Sequence, residues 1–90
     1  MLEIVHNQHA HRFETTVDNT TAYISYLDNG DIIIFNHTIV PSEIGGRGIA
    51  GELTKYALAY AREHGKKIVP ACSYVASYVQ KHPEYTDLVV

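Results

Sequence analysis

The sequence contains little sulfur, no tryptophan and few basic residues. Its 90 residues include one cysteine, Cys72, and seven Lys and Arg against ten Asp and Glu, for a formal net charge of −3. A single cysteine excludes an intrachain disulfide and a zinc site built on several thiolates. The acidic balance disfavours a nucleic-acid-binding module, because modules of this size that bind nucleic acid are usually basic.

Long apolar runs and targeting signals are also missing. No stretch approaches the roughly 18 consecutive apolar residues that a transmembrane helix needs. The first residues, MLEIVH, have neither the basic start nor the apolar region of a signal peptide. Hydrophobic residues make up 46% of the chain, as is usual for a globular protein. We therefore expect one cytoplasmic domain over residues 1–90, with no nucleic-acid or membrane partner. The sequence does not indicate its oligomeric state.

The first half of the chain has the pattern of an antiparallel β-meander. Apolar and polar residues alternate in its first segments, and a more continuous apolar run follows. Asp18-Asn19 and Asn29-Gly30 separate these segments and supply the residue types that tight hairpin turns require. The predicted strands are 2–6, 11–17, 20–28 and 32–40.

After Pro41 the apolar period changes from two to about 3.6, which predicts an amphipathic helix over 47–64 that ends at Gly65. The apolar positions of this helix are Ile49, Leu53, Tyr56, Ala57, Tyr60 and Ala61. The remaining predicted elements are a strand at 66–69, a helix at 73–82 and an edge strand at 88–90. Because a helix connects them, the strands before and after it should be parallel neighbours. The fold class is therefore α/β (α+β).

A glycine-rich loop joins the last strand of the meander to the long helix. Glycines there let a phosphate approach the unpaired N–H groups of a helix N-terminus, with Arg47 as a charge partner. A Walker loop is excluded because Gly48 is followed by Ile-Ala rather than Lys-Ser/Thr. The Rossmann pattern G-x-G-x-x-G is matched by Gly46, Gly48 and Gly51, but its acidic residue is absent from 69–71.

The loop resembles motif A of the GCN5-related N-acetyltransferases, whose pattern is Arg/Gln-x-x-Gly-x-Gly/Ala. Gly48 and Ala50 match this pattern, whereas Gly45 stands where the family has Arg or Gln. The segments His37–Pro41, Ala61–Val75 and Lys81–Val89 extend the resemblance to a subgroup of small single-domain members. It covers roughly residues 10–90.

The resemblance implies a minimal acetyltransferase fold that binds acetyl-CoA and transfers its acetyl group to an amine. The acceptor would be a small molecule, a peptide or a protein. Larger members carry additional elements around the acceptor, and this chain has no room for them. The residues that would hold acetyl-CoA are Thr38, Val40, Gly45, Gly46, Arg47, Gly48, Ile49, Ala50 and Gly51.

Four residues are candidates for the chemistry. Cys72 follows a strand and opens a helix, where a thiol's pKa can fall, and the resemblance implies that it is the nucleophile. The alternative for Cys72 is a small buried hydrophobic side chain. In direct transfer, His37 would be the base and Tyr74 or Tyr78 the acid that protonates the CoA thiolate.

Two further interpretations bear on function. His6, His9 and His11 are closely spaced, but no carboxylate or thiol accompanies them, so we predict no metal site. The chain could also be a CoA-binding or acyl-CoA-binding module, for example a sensor, that performs no turnover.

Overall fold

In residues 2–90, which the computed structural model describes, five strands form one sheet, in the same order as they occur along the chain. Strands β1 to β4 are antiparallel neighbours, whereas β4 and β5 are parallel. The predicted meander and the predicted parallel pair are both confirmed. The strands are β1 (Val5–Asn7), β2 (Arg12–Val17), β3 (Thr20–Asn29), β4 (Ile32–Ile39) and β5 (Lys67–Pro70).

Two α-helices pack on one face of this sheet. Helix α1 (Ile49–Glu63) connects β4 to β5, and α2 (Ser73–Lys81) follows β5. Short 3₁₀ turns occupy Ser42–Ile44, before α1, and Pro83–Leu88, after α2. Within residues 2–90, each helix is too short or too polar to cross a membrane.

Side chains of both helices and of the inner sheet face form one buried cluster. Phe13, Ile24 and Phe35 from the sheet pack in it with Leu53 from α1 and Val75 from α2. These side chains are fully buried. The buried side chains of β2 and β3 therefore follow the alternation that predicted these strands.

One part of the predicted helix pattern is wrong. Tyr56 was assigned to the core by its spacing, but its side chain is 43% exposed. Leu58, which lies on the neighbouring row of α1, is fully buried instead. Tyr60 is partly buried at the edge of the core. The buried stripe of α1 is therefore rotated toward Leu58, which leaves Tyr56 at the margin.

A bulge in β4 changes which of its side chains face the helices. Ser25 pairs with His37 and Tyr26 pairs with Phe35, so Asn36 is an extra residue in β4. Residues that pair across antiparallel strands point to the same face of the sheet. Thr38 pairs with the buried Ile24 and therefore lies on the helix side.

The C-terminal segment closes the β5 edge of the sheet. The predicted edge strand at 88–90 is reduced to one parallel bridge between Ile68 and Val89, with a hydrogen bond from the Val90 N–H to the Ile68 carbonyl. Arg62 on α1 holds the 3₁₀ turn Pro83–Leu88 in place through a bidentate ion pair with Asp87. The two nitrogen–oxygen distances are 2.8 and 3.0 Å.

Candidate active site

The first turn of α1 has the geometry of an anion site. Gly48 is the N-cap residue with φ of +75°, and no described side chain caps this turn. Gly46 has φ of +76°, and no described heavy atom lies within 4 Å of a Cβ built at either glycine. The loop therefore leaves open space in front of N–H groups that lack a side-chain partner, as a phosphate requires.

Arg47 brings a positive charge to this loop. Its guanidinium lies 2.9 Å from a carboxylate oxygen of Asp18 in the turn between β2 and β3. Both side chains are largely exposed, so water screens the pair and an anionic ligand can compete for Arg47.

Strands β4 and β5 part beyond Phe35. Their pairing ends where Phe35 meets Pro70, and the next contact is a 2.8 Å hydrogen bond from the Cys72 N–H to the Phe35 carbonyl. In the part of the chain that the structure describes, β4 then continues to Ile39 with no strand on this side. Thr38 lies on this free stretch, and Val40 follows it. An unpaired strand edge offers N–H and C=O groups to an extended ligand that carries amides.

Cys72 lies where the two strands part. It is the N-cap residue of α2, and its sulfur is 3.3 Å from the Thr38 hydroxyl oxygen. Burial is the largest single influence and raises the pKa of the thiol. The Thr38 hydroxyl and then the nearby backbone amides of Val75, Tyr74 and Thr38 together outweigh burial, so the pKa lies below its usual value.

The two tyrosine candidates have different surroundings. The Tyr74 hydroxyl lies 3.5 Å from where a Cβ of Gly51 would be, beside the first turn of α1. Tyr78 lies one turn further along α2, stacked on His82 with ring centroids 4.0 Å apart. Burial, followed by the neighbouring Tyr85, raises the pKa of Tyr78. Tyr74 is therefore the tyrosine that the structure places at the glycine loop.

His37 is not brought together with these residues. It pairs with Ser25 on the sheet face opposite the helices, and its side chain is exposed. The pairs that do meet are Thr38 with Cys72, and Tyr74 with Gly51 of the glycine loop. Sequence reasoning assigned Thr38 to the acetyl donor and missed its contact with Cys72, because the two residues are 34 positions apart and only the fold joins them.

Residues 2–90 hold no group of three or more His, Cys, Asp and Glu side chains arranged to bind a metal ion. His6 points into the core, where its Nε2 lies 2.6 Å from the Tyr26 hydroxyl oxygen. His9 and His11 are exposed.

Comparison with known families adds an independent observation. The family model described as GCN5-related N-acetyl-transferase matches residues 12–88. The chain belongs to this acetyltransferase family. A matching solution structure, of a GCN5-like candidate N-acetyltransferase from Staphylococcus aureus, is 32% identical and has a TM-score of 0.78. The match covers 99% of this chain and 88% of that one.

Curated relatives of this acetyltransferase-family chain include Protein NATD1 of chicken, mouse and human. The chain is 40% identical to each of them over 52 residues. That match covers 58% of this chain and 46 to 47% of the NATD1 proteins. It therefore spans about half the length of these relatives.

Proposed function

We propose that the chain is an acetyl-CoA-dependent N-acetyltransferase in which Cys72 carries the acetyl group to an amine. The acceptor amine belongs to a small molecule, a peptide or a protein. The observation that carries the proposal is the position of Cys72. Its sulfur lies where β4 and β5 part, at the start of α2 and beside the free stretch of β4.

The donor's chemistry fits the surfaces that flank Cys72. A pyrophosphate suits the N–H groups of the glycine loop and the first turn of α1, over residues 45–51, with Arg47 released from Asp18. The pantetheine arm carries two amides, which suit the free edge of β4 at Thr38 and Val40. Together these two contacts direct the thioester toward Cys72.

The reaction then runs in two balanced steps. The Cys72 thiolate attacks the thioester carbonyl carbon, a new carbon–sulfur bond forms, and the bond to the CoA sulfur breaks. The CoA thiolate leaves and takes up a proton. A neutral amine next attacks acetyl-Cys72, the amide forms, Cys72 departs as a thiolate, and the amine's surplus proton passes through solvent to the acid that protonated CoA.

Tyr74 is the acid in this proposal, because it lies in the first turn of α2, two residues after Cys72, toward which the thioester is directed. Tyr78 is a full helical turn away and packs on His82. His37 has no role in the Cys72 route, because it lies on the other face of the sheet.

Mass spectrometry of the intact protein tests this route. After incubation with acetyl-CoA and removal of excess donor, we expect one acetyl group, mapped to Cys72 by peptide analysis. Hydroxylamine, which cleaves thioesters, should remove it. Cys72→Ala should carry no adduct and should bind acetyl-CoA with unchanged affinity. Transfer to a panel of amines should fall by at least about a hundredfold in this variant, as expected when a nucleophile is lost.

Two outcomes would count against the proposal in different ways. If Cys72→Ala transfers acetyl groups at the wild-type rate, transfer is direct and the cysteine route is wrong. If acetyl-CoA binds, yet neither an adduct nor an acetylated amine forms across the panel, the chain is a CoA-binding module rather than an enzyme. Cys72→Ser, which keeps a polar side chain at the N-cap, serves as a second variant in both assays.

A further inference from the structure

Thr38 is the one side chain in the described residues that forms a hydrogen bond with the Cys72 sulfur. It does so because of the bulge at Asn36. Without this extra residue, the alternation of β4 would place position 38 on the exposed face of the sheet. With it, Thr38 faces the helices, and its hydroxyl oxygen lies 3.3 Å from the sulfur.

The direction of this hydrogen bond depends on the state of the sulfur. With a thiol, either the S–H or the O–H group can donate. With a thiolate, only the hydroxyl has a proton to give, and a hydrogen bond to a charged acceptor is the stronger kind. The Thr38 hydroxyl is the hydrogen-bond partner of this sulfur in the described residues, and the sulfur lies at the N-cap of α2.

We propose that Thr38 is a positioning residue for Cys72. The Thr38 hydroxyl donates a hydrogen bond to the Cys72 sulfur and holds it as a thiolate that faces the free edge of β4. This inference rests on the proposed function, in which the thiolate opens the first step and is released in the second. Thr38 therefore assists both steps, since each begins or ends with a charged sulfur. The bulge in β4 turns Thr38 toward the helices, which allows its contact with Cys72.

The rate at which iodoacetamide alkylates Cys72, measured across a range of pH, tests this role without acetyl-CoA. Only the thiolate reacts, so the midpoint of the curve reports the ionisation of the thiol. Thr38→Val keeps the shape of the side chain and removes the hydroxyl. We expect its midpoint to rise by on the order of one pH unit, which lowers the thiolate fraction at neutral pH about tenfold.

Two further variants separate this role from a packing effect. Thr38→Ser retains the hydroxyl and should restore the midpoint to near the wild-type position. Thr16→Val removes a hydroxyl that bonds to Thr21 on the exposed part of β2 and β3, and should leave the midpoint unchanged. Thermal unfolding of each variant confirms that the protein is folded under the assay conditions.

The outcomes for Thr38 and for the acetyl transfer are distinguishable. If Thr38→Val titrates like the wild type, or if Thr38→Ser shifts as far as Thr38→Val, the positioning role is wrong. If the alkylation midpoint shifts as expected but acetyl-CoA never labels Cys72, the contact stands and the proposed acetyl transfer fails instead.

Discussion

His6 anchors the short strand β1 to the core through its ring. Its Nε2 lies 2.6 Å from the Tyr26 hydroxyl oxygen. The ring stacks on Phe13 with centroids 4.2 Å apart and meets the edge of Tyr60 at 4.5 Å. A neutral imidazole fits these aromatic neighbours, whereas a charged ring would lose hydration there.

Stability should therefore fall in mild acid. Burial and then the nearby His64 lower the pKa of His6, while Asp28 opposes them. The unfolded chain binds the proton at the usual pKa of 6.5, above that of the folded protein. The stability that depends on neutral His6 is thus fully present above pH 6.5 and is lost as the pH falls toward the folded pKa. Since His6 is partly exposed, we expect a loss below about 1 kcal/mol.

Thermal unfolding at pH values above and below 6.5 measures this dependence. His6→Gln removes the titrating ring, and the fall in Tm on acidification should become shallower. His9→Gln, at an exposed position in the loop between β1 and β2, is the matched control and should keep the wild-type slope. Equal slopes for His6→Gln and the wild type would show that the acid sensitivity arises elsewhere.

Single residues also show where sequence reasoning reaches its limit. Period-two alternation predicted strands with two distinct faces, and the structure buries Phe13 and Ile24 on one of them. On a helix the buried stripe can rotate by one row, and the sequence placed Tyr56 inside while Leu58 fills that position. The choice between them depends on how α1 sits on the sheet, which only packing decides.

At the scale of elements, the junction of β4 and α1 carries the strongest prediction about ligand binding. In Gly48→Ala, the N-cap residue keeps a left-handed backbone that costs a non-glycine residue about 1 kcal/mol. The new Cβ meets no described protein atom, so it projects into the space where a phosphate would approach. We expect acetyl-CoA affinity to fall about tenfold or more, measured by isothermal titration calorimetry.

Gly30→Ala separates strain from ligand contact. Gly30, in the turn between β3 and β4, has φ of +68° and equally open surroundings. Both alanine variants should therefore lose similar stability, yet only Gly48→Ala should bind acetyl-CoA more weakly. Equal affinities for the two variants would mean that the loop is only a strand-to-helix turn.

The sequence predicted the strands and helices, but it did not predict the bulge in β4. The apolar run at 32–40 predicted a buried strand, but a nearly continuous run does not mark the point where the alternation reverses. Asn36 carries the bulge, and the reversal determines that Thr38 rather than His37 faces Cys72. The sequence therefore predicted the strand, but not which of its side chains reach the site.

For the whole molecule, the chain order predicted the topology well. A meander followed by a crossover helix leaves few alternatives to a sheet in chain order with one parallel pair. The resemblance of the glycine loop to motif A pointed to a family that the comparisons show. The meeting of Thr38 and Cys72 could not be predicted, because it depends on the register of β3 and β4 and on where β5 ends.

In residues 2–90 one core joins the sheet to both helices, so a ligand at the glycine loop should stabilise this whole unit. The sheet and both helices contribute to a single buried cluster, and we expect a single unfolding transition. Acetyl-CoA at a hundred times its dissociation constant should add about 2.7 kcal/mol to the free energy of unfolding. For a domain this small, Tm should rise by on the order of 10 °C.

One variant and a second ligand distinguish the possible causes of this rise in Tm. Cys72→Ala should show the same rise, because the sulfur is needed for transfer and not for holding the phosphates. NAD tests the dinucleotide interpretation of Gly46, Gly48 and Gly51, and we expect it to leave Tm unchanged. A rise with NAD but not with acetyl-CoA would reverse the ligand assignment. If millimolar acetyl-CoA does not raise Tm, acetyl-CoA is not the donor. The acetyltransferase proposal is then wrong, whatever the reactivity of Cys72.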